Sequence, residues 1–244
     1  MATLVNNFAH KLLASAFPNY CLFCGLPSGR HLALCAACEG DLPRNDHPCP
    51  RCALPLPPTE AGAGRAACGN CLRSPPPFAA STAPWVYDPY FAHLIGRWKD
   101  AGEQGFSGLL AQLWLDAASA PDEVDLLVPV PLHWRKRWQR GFNQAELFAQ
   151  ALLRLRPALG QLDTTLIRRQ VNTGSQRTMT ARHRRTNLSN AFTTRRSCDN
   201  LRIAIIDDVM TTGATARSLA TVLAAAGASR IEVWCIARTP TPGS

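Results

Sequence analysis

Eight of the ten cysteines fall between residues 21 and 71, and all eight stand in C-x-x-C pairs. The pairs are Cys21/Cys24, Cys35/Cys38, Cys49/Cys52 and Cys68/Cys71. This spacing lets a tight turn aim two thiolates at one metal ion. Zinc takes four ligands in a tetrahedron at about 2.3 Å from sulfur, so eight cysteines predict two closed sites. Closed sites leave no coordination position for a substrate, which assigns both ions to structure. The surrounding stretch is dense in Gly and Pro and shows no apolar periodicity, so it depends on metal to fold. Chain order suggests that the first two pairs share one ion and the last two the other, with a cross-braced arrangement, first with third, as the alternative. His31 and His47 are expected at the surface, Cys198 as an exposed loop thiol and Cys235 as a buried strand residue.

A disulfide framework would need an oxidising compartment. Near the start, Lys11, Leu12-Leu13 and Ala14-Ser15-Ala16 imitate a signal peptide, but the apolar stretch between them is too short for an export signal of about 7–15 apolar residues. Residues Leu4 to Phe17 read as a short amphipathic helix, and the expected location is cytoplasmic. No apolar run reaches the roughly 20 residues of a membrane span. A net charge of +9 favours polyanionic partners, nucleic acid or a phosphate-rich small molecule.

Ser74-Pro75-Pro76-Pro77 is a stiff spacer and predicts a boundary, with a zinc-binding domain over 1–77 and a second domain over 78–244. Beyond it the texture changes to alternating strands and helices. Strands are expected at Ala83–Tyr87, Val124–Val130, Thr164–Ile167, Leu201–Ile206 and Ile231–Ala237. Helices are expected at Pro89–Asp100, Phe106–Ala118, Asn143–Leu155 and Thr212–Ala226, the last capped by Gly227. This alternation predicts an α/β domain built on a mostly parallel sheet.

Within it, Ile205 to Thr215 reads Ile-Ile-Asp-Asp-Val-Met-Thr-Thr-Gly-Ala-Thr. A buried strand ends in Asp207 and Asp208, and a Thr/Gly turn then opens a helix. The helix N-terminus offers N–H groups and a positive dipole end to a phosphate. Thr211, Thr212 and Thr215 add hydroxyls, and Gly213 permits close backbone approach. Acids at a strand's carboxyl end suit ribose hydroxyls.

The stretch resembles the PRPP (phosphoribosyl pyrophosphate) signature of type I phosphoribosyltransferases. The resemblance implies that Asp207 and Asp208, the catalytic pair, hold the ribose. It likewise implies that Thr211, Thr212, Gly213, Ala214 and Thr215 hold the 5′-phosphate, with Mg²⁺ accompanying PRPP. Purine-salvage members carry an acid where Thr211 stands, and a threonine cannot take a proton from the purine, so purine salvage is disfavoured. Further blocks narrow the likeness: Val128-Pro129-Val130-Pro131-Leu132, Arg140-Gly141-Phe142-Asn143-Gln144, Arg185-Thr186-Asn187, Ala191-Phe192 and the late Arg238. With the cysteine pairs, they make the chain resemble the ComF family (ComFC, GntX-like) over nearly its whole length. That resemblance implies a double zinc ribbon ahead of a type I phosphoribosyltransferase-like domain. It also implies a role in natural competence and DNA uptake, with single-stranded DNA and other competence proteins as partners. The alternative is an active Mg-dependent phosphoribosyltransferase on an unidentified acceptor.

Residues 168–196 hold eight arginines and no acid. Arg177, Arg182, Arg184 and Arg185 suit either a DNA backbone or the pyrophosphate of PRPP, and both readings stand. Lys99 and Arg140 are candidates for pyrophosphate. Trp134 and Trp138 interleave with Arg135, Lys136 and Arg137; packing in a core is preferred for them over stacking on bases.

Overall fold

The computed structural model describes residues 19–58, 67–101, 104–118, 122–132, 138, 140–169 and 191–241. The expected helix over 4–17 therefore lies outside the described residues. The chain divides into two compact units, residues 1–43 and residues 44–244.

In the first unit, two reversals carry Cys21/Cys24 and Cys35/Cys38. Gly25 and Gly29 take left-handed φ of 75° and 69° in the first of them. Helix α1 (Ala36–Gly40) starts directly after Cys35, whose sulfur accepts the N–H of Cys38. Arg30 pairs with Glu39 and donates to the carbonyl of Leu34. Leu34 is fully buried.

The second unit opens with the other cysteine cluster, including helix α2 (Gly69–Arg73), and continues into the sheet. Its strands are β1 (Ala80–Thr82), β2 (Trp85–Val86), β3 (Leu126–Pro129), β4 (Gln161–Leu162), β7 (Arg202–Met210) and β8 (Arg230–Arg238). All pair in parallel, in the order β1-β8-β7-β3-β4, with β2 also on β8. A separate antiparallel pair joins β5 (Ile167–Arg169) to β6 (Phe192–Thr194). Of the strand expected at 83–87 only β2 (Trp85–Val86) forms, and β1 precedes it at Ala80–Thr82, across Ala83 and Pro84. The one expected at 164–167 starts only at Ile167, because the Asp163 carboxylate accepts the N–H groups of Thr165 and Leu166 in a local turn.

The helices are α3 (Pro89–Ala101), α4 (Gln104–Ala117), α5 (Gln144–Leu155) and α6 (Ala214–Ala225). Asn143 caps α5, accepting the N–H of Ala145 and donating to the carbonyl of Val130. Parallel strands are covered on both faces, which explains the continuous apolar runs of β3, β7 and β8. On one face, Leu219 and Leu223 of α6 pack with Ile203, Ile205, Ile231 and Val233. On the other, Trp114 of α4 meets Trp234 at 5.4 Å and Phe148 of α5 at 6.0 Å between ring centroids. The Trp114 indole N–H donates to the carbonyl of Cys235.

Gly227 follows α6 at φ +97°, and a Cβ there would lie 2.1 Å from the Asp199 carboxylate. Only glycine meets both demands. Cys198, expected to be exposed, is instead fully buried. The turn 197–200 is tied to this helix end through Cys198 N–H to the Ala226 carbonyl and Asn200 N–H to the Gly227 carbonyl. Trp138, expected in a core, is 88% exposed.

Candidate phosphate site and metal centres

The crossover after β3 runs through α5 to β4, while that after β7 runs through α6 to β8. The two connections therefore diverge at the carboxyl ends of β3 and β7. Open α/β sheets bind ligands at such a switch point.

Asp207 and Asp208 sit there, but not at the end of their strand. Pairing of β7 with β3 stops at Ile206 opposite Pro129, whereas pairing with β8 runs on to Met210 opposite Arg238. The acids therefore lie on an overhang that keeps a neighbour on one side only. Asp207 accepts the N–H of Asp208 at 2.9 Å, and Asp208 accepts that of Val209 at 2.6 Å. Lys99, from the last turn of α3, places Nζ 2.5 Å from Asp208 Oδ2. Burial first, then the charge of Asp208 and a hydrogen bond with it, push the Asp207 carboxyl well above the usual range, against the pull of Lys99. The two carboxyl groups thus lie side by side, with Lys99 on the outer one.

After Met210 the chain turns through exposed Thr211 and Thr212 into α6. Gly213 occupies the N-cap at φ 74°, and no side chain caps the helix there. The Ala214 N–H reaches Thr212 Oγ1 at 3.3 Å. The first-turn N–H groups of a helix have no intrahelical acceptor, and a helix start of this kind suits a phosphate. Thr215 lies in that turn.

Arg238 holds this loop from behind. It is 6% exposed. Its Nη1 donates to the carbonyls of Met210 and Thr239, each at 2.8 Å, and to that of Thr211, while Nε donates to the carbonyl of Cys52 at 3.0 Å. A single guanidinium thus ties the loop after Met210 to a cysteine of the second cluster. Sequence reasoning noted Arg238 only within a family likeness. An arginine at the end of a buried strand was the available signal.

The cysteines fall into two groups, Cys21/Cys24/Cys35/Cys38 and Cys49/Cys52/Cys68/Cys71, each with its sulfurs within 4.8 Å of one another. Pairing is therefore sequential and not cross-braced. A zinc tetrahedron with 2.3 Å bonds needs sulfurs about 3.8 Å apart. Cys24 and Cys35 are 3.9 Å apart, and Cys52 and Cys68 are 3.6 Å apart, so both groups fit the ion. None of the ten cysteines forms a disulfide. Burial raises the Cys21 thiol, but N–H groups of Cys24, Cys35 and Phe23 outweigh it and bring it to about 6. Cys49 reaches about 7 by the same balance, through Cys68, Cys52 and Arg51. His31 and His47 are exposed and belong to neither group.

Of the other predicted site residues, Arg140 is half-buried just before the left-handed Gly141. Arg177, Arg182, Arg184 and Arg185 lie outside the described residues, as does Trp134. The ends of their segment are held together where Arg169 pairs with Phe192, the guanidinium lying 5.6 Å from the ring centroid.

A family model described as "Double zinc ribbon domain" matches residues 12–72. The "DNA utilization protein YhgH" of Salmonella typhi is 34% identical over 230 residues, covering 91% of this chain and 98% of that protein. "Competence protein F" of Haemophilus influenzae is 34% identical over 182 residues, covering 70% of this chain and 78% of its own. Among solved structures, a glutamine PRPP amidotransferase from B. subtilis, complexed with ADP and GMP, is 19% identical with a TM-score of 0.35. That match covers 54% of this chain and 25% of that one, a likeness too low to carry an argument.

Proposed function

The chain belongs to the ComF family of competence and DNA-utilization proteins, and on that footing we propose that it binds PRPP and handles single-stranded DNA in the cytoplasm. The observation that carries the PRPP half is the juxtaposition of three elements at one switch point. Asp207 and Asp208 overhang β3, Lys99 meets Asp208, and the uncapped start of α6 follows directly. Two adjacent strand-end carboxyl groups can take the two neighbouring ribose hydroxyls. The loop 211–215 receives the 5′-phosphate, and Mg²⁺ arrives with the pyrophosphate, for which carboxylate oxygens are suitable hard ligands. Lys99 is placed to share its charge between Asp208 and that pyrophosphate.

The DNA half is supported by relatives named for DNA utilization and competence. Arginines crowd residues 168–196, and the Trp138 ring stands open to solvent beside a basic stretch. Charge that tracks the backbone and rings that stack on bases hold single strands without reading sequence. In this reading residues 1–77 form the zinc-binding domain and 78–244 the phosphoribosyl-binding domain, divided by ligand. Among the described residues no helix is long and apolar enough to cross a membrane.

The test is calorimetric titration with PRPP and Mg²⁺. Wild type should bind. Asp208→Asn, which removes a charged hydrogen-bond acceptor worth about 1.5–3 kcal/mol, should weaken binding tenfold or more. Equal affinities would take Asp208 out of the site. The Lys99–Asp208 pair also favours a second reading, a phosphoribosyltransferase in which Asp207 and Asp208 hold the ribose as positive charge develops on it. Pyrophosphate release with a panel of nucleobase acceptors separates turnover from binding alone.

A further inference from the structure

A cavity of about 1030 Å³ begins at Thr211–Ala214 and continues along α6 to Thr221, walled on its other side by the second cysteine cluster. Asp207 and Asp208 are not among its lining residues. The cavity therefore begins at the loop that follows the acids and not at the acids themselves. The walls are chiefly apolar, with Leu54, Phe78, Met210 and Pro240, and among the described residues they contain no carboxylate. Arg73 and Arg217 supply cations. Their partners are neutral: Arg73 donates to Asn70 Oδ1 at 2.8 Å, and Arg217 to the Ser74 carbonyl at 3.2 Å. Neither hydrogen bond cancels the charge.

We propose that this cavity is a nucleotide subsite, holding the nucleoside on the far side of a phosphodiester whose phosphate rests on the 211–215 loop. The inference builds on the phosphate-site reading above. Its reasoning is one of connectivity. If the acids hold a sugar and the loop holds that sugar's 5′-phosphate, a bare phosphate monoester ends at the loop. In a polynucleotide the same phosphate continues to the preceding nucleoside, and the cavity lies where that group must go. Apolar-walled pockets with a few placed polar groups, of about 300–1,000 Å³, suit ligands of this size. Guanidinium planes such as those of Arg73 and Arg217 stack on bases and also counter backbone charge. The site would thus accept the end of a single strand, the sugar next to the acids being its last residue.

The test uses the full, zinc-loaded chain in calorimetric titrations with four defined probes. They are AMP and adenylyl-(3′→5′)-adenosine, and their 2′-deoxy counterparts. Each dinucleotide should bind at least tenfold more tightly than the matching mononucleotide. Thr221→Trp, which fills the far end of the cavity, and Arg217→Glu should each bring that ratio towards one while leaving PRPP affinity within twofold. A larger ratio in the deoxy series identifies a DNA end and a larger one in the ribo series an RNA end; either upholds the subsite. Wild-type ratios near one in both series, with PRPP binding intact, overturn the subsite and leave the phosphate-site reading standing. Absence of binding by PRPP and by all four probes overturns both.

Discussion

Replacing Arg238 tests how far the second zinc cluster and the phosphate loop form one device. Arg238→Met keeps the aliphatic stem and removes the donors to the carbonyls of Cys52, Met210, Thr211 and Thr239. Each net hydrogen bond contributes about 1 kcal/mol, and an acceptor left buried without a partner costs about 1–3 kcal/mol. Against this, the variant no longer desolvates a charge, which returns part of the loss. A net destabilisation of about 3 kcal/mol follows, a large share of the 5–15 kcal/mol typical of a folded domain. Urea unfolding at fixed free zinc, followed by tryptophan fluorescence, reads it directly. Trp85, Trp98, Trp114 and Trp234 are all at most 2% exposed and will report loss of the core. Arg238→Lys should recover part of the loss, because three ammonium donors can still reach some of these carbonyls. PRPP affinity should fall in both variants, and one of two zinc ions should be released to a chelator faster than in wild type. A loss below about 1 kcal/mol, with zinc release unchanged, would refute the coupling.

Elemental analysis of protein expressed with ample zinc should return two ions per chain; one or none would contradict the two four-cysteine groups. Cys68→Ser should lower PRPP affinity, because its cluster carries the Cys52 carbonyl bound by Arg238. Cys21→Ser, in the other compact unit, should leave that affinity unchanged, and equal losses in both would refute the distinction. The raised Asp207 carboxyl makes a pH prediction. A folded-state pKa above the unfolded one gives stability that is complete below the usual aspartate range and declines as pH rises towards the folded value. Asp207→Asn should therefore be more stable than wild type at pH 7 and lose that advantage in acid, as measured by thermal melting. For single-stranded DNA, affinity should fall with salt at a log–log slope of about −0.7 per neutralised phosphate. Reversing Arg182, Arg184 and Arg185 to glutamate should flatten that slope; an unchanged slope would place DNA elsewhere.

Local chemistry was readable from the sequence because each signal rests on neighbours in the chain. C-x-x-C pairs bring two sulfurs together within one turn. Asp-Asp followed by Thr-Thr-Gly encodes a turn into a helix, and the apolar runs of β3, β7 and β8 require burial on both faces. Chain order suggested sequential over cross-braced cysteine pairing but could not decide it, since both satisfy the same spacing and only packing separates them. Nor could it show that β7 runs past its acids to Met210, because β8 is a partner contributed from elsewhere in the chain. Cys198 reads as an exposed loop thiol until the turn that carries it is seated on the end of α6. Lys99 and Asp208 stand 109 positions apart in the chain, and Arg238 and Cys52 stand 186 apart. No periodicity links residues at such separations. Tertiary folding alone joins these pairs, by closing the sheet at β8 and bringing α3 over the end of β7, and so turns a legible motif into a site.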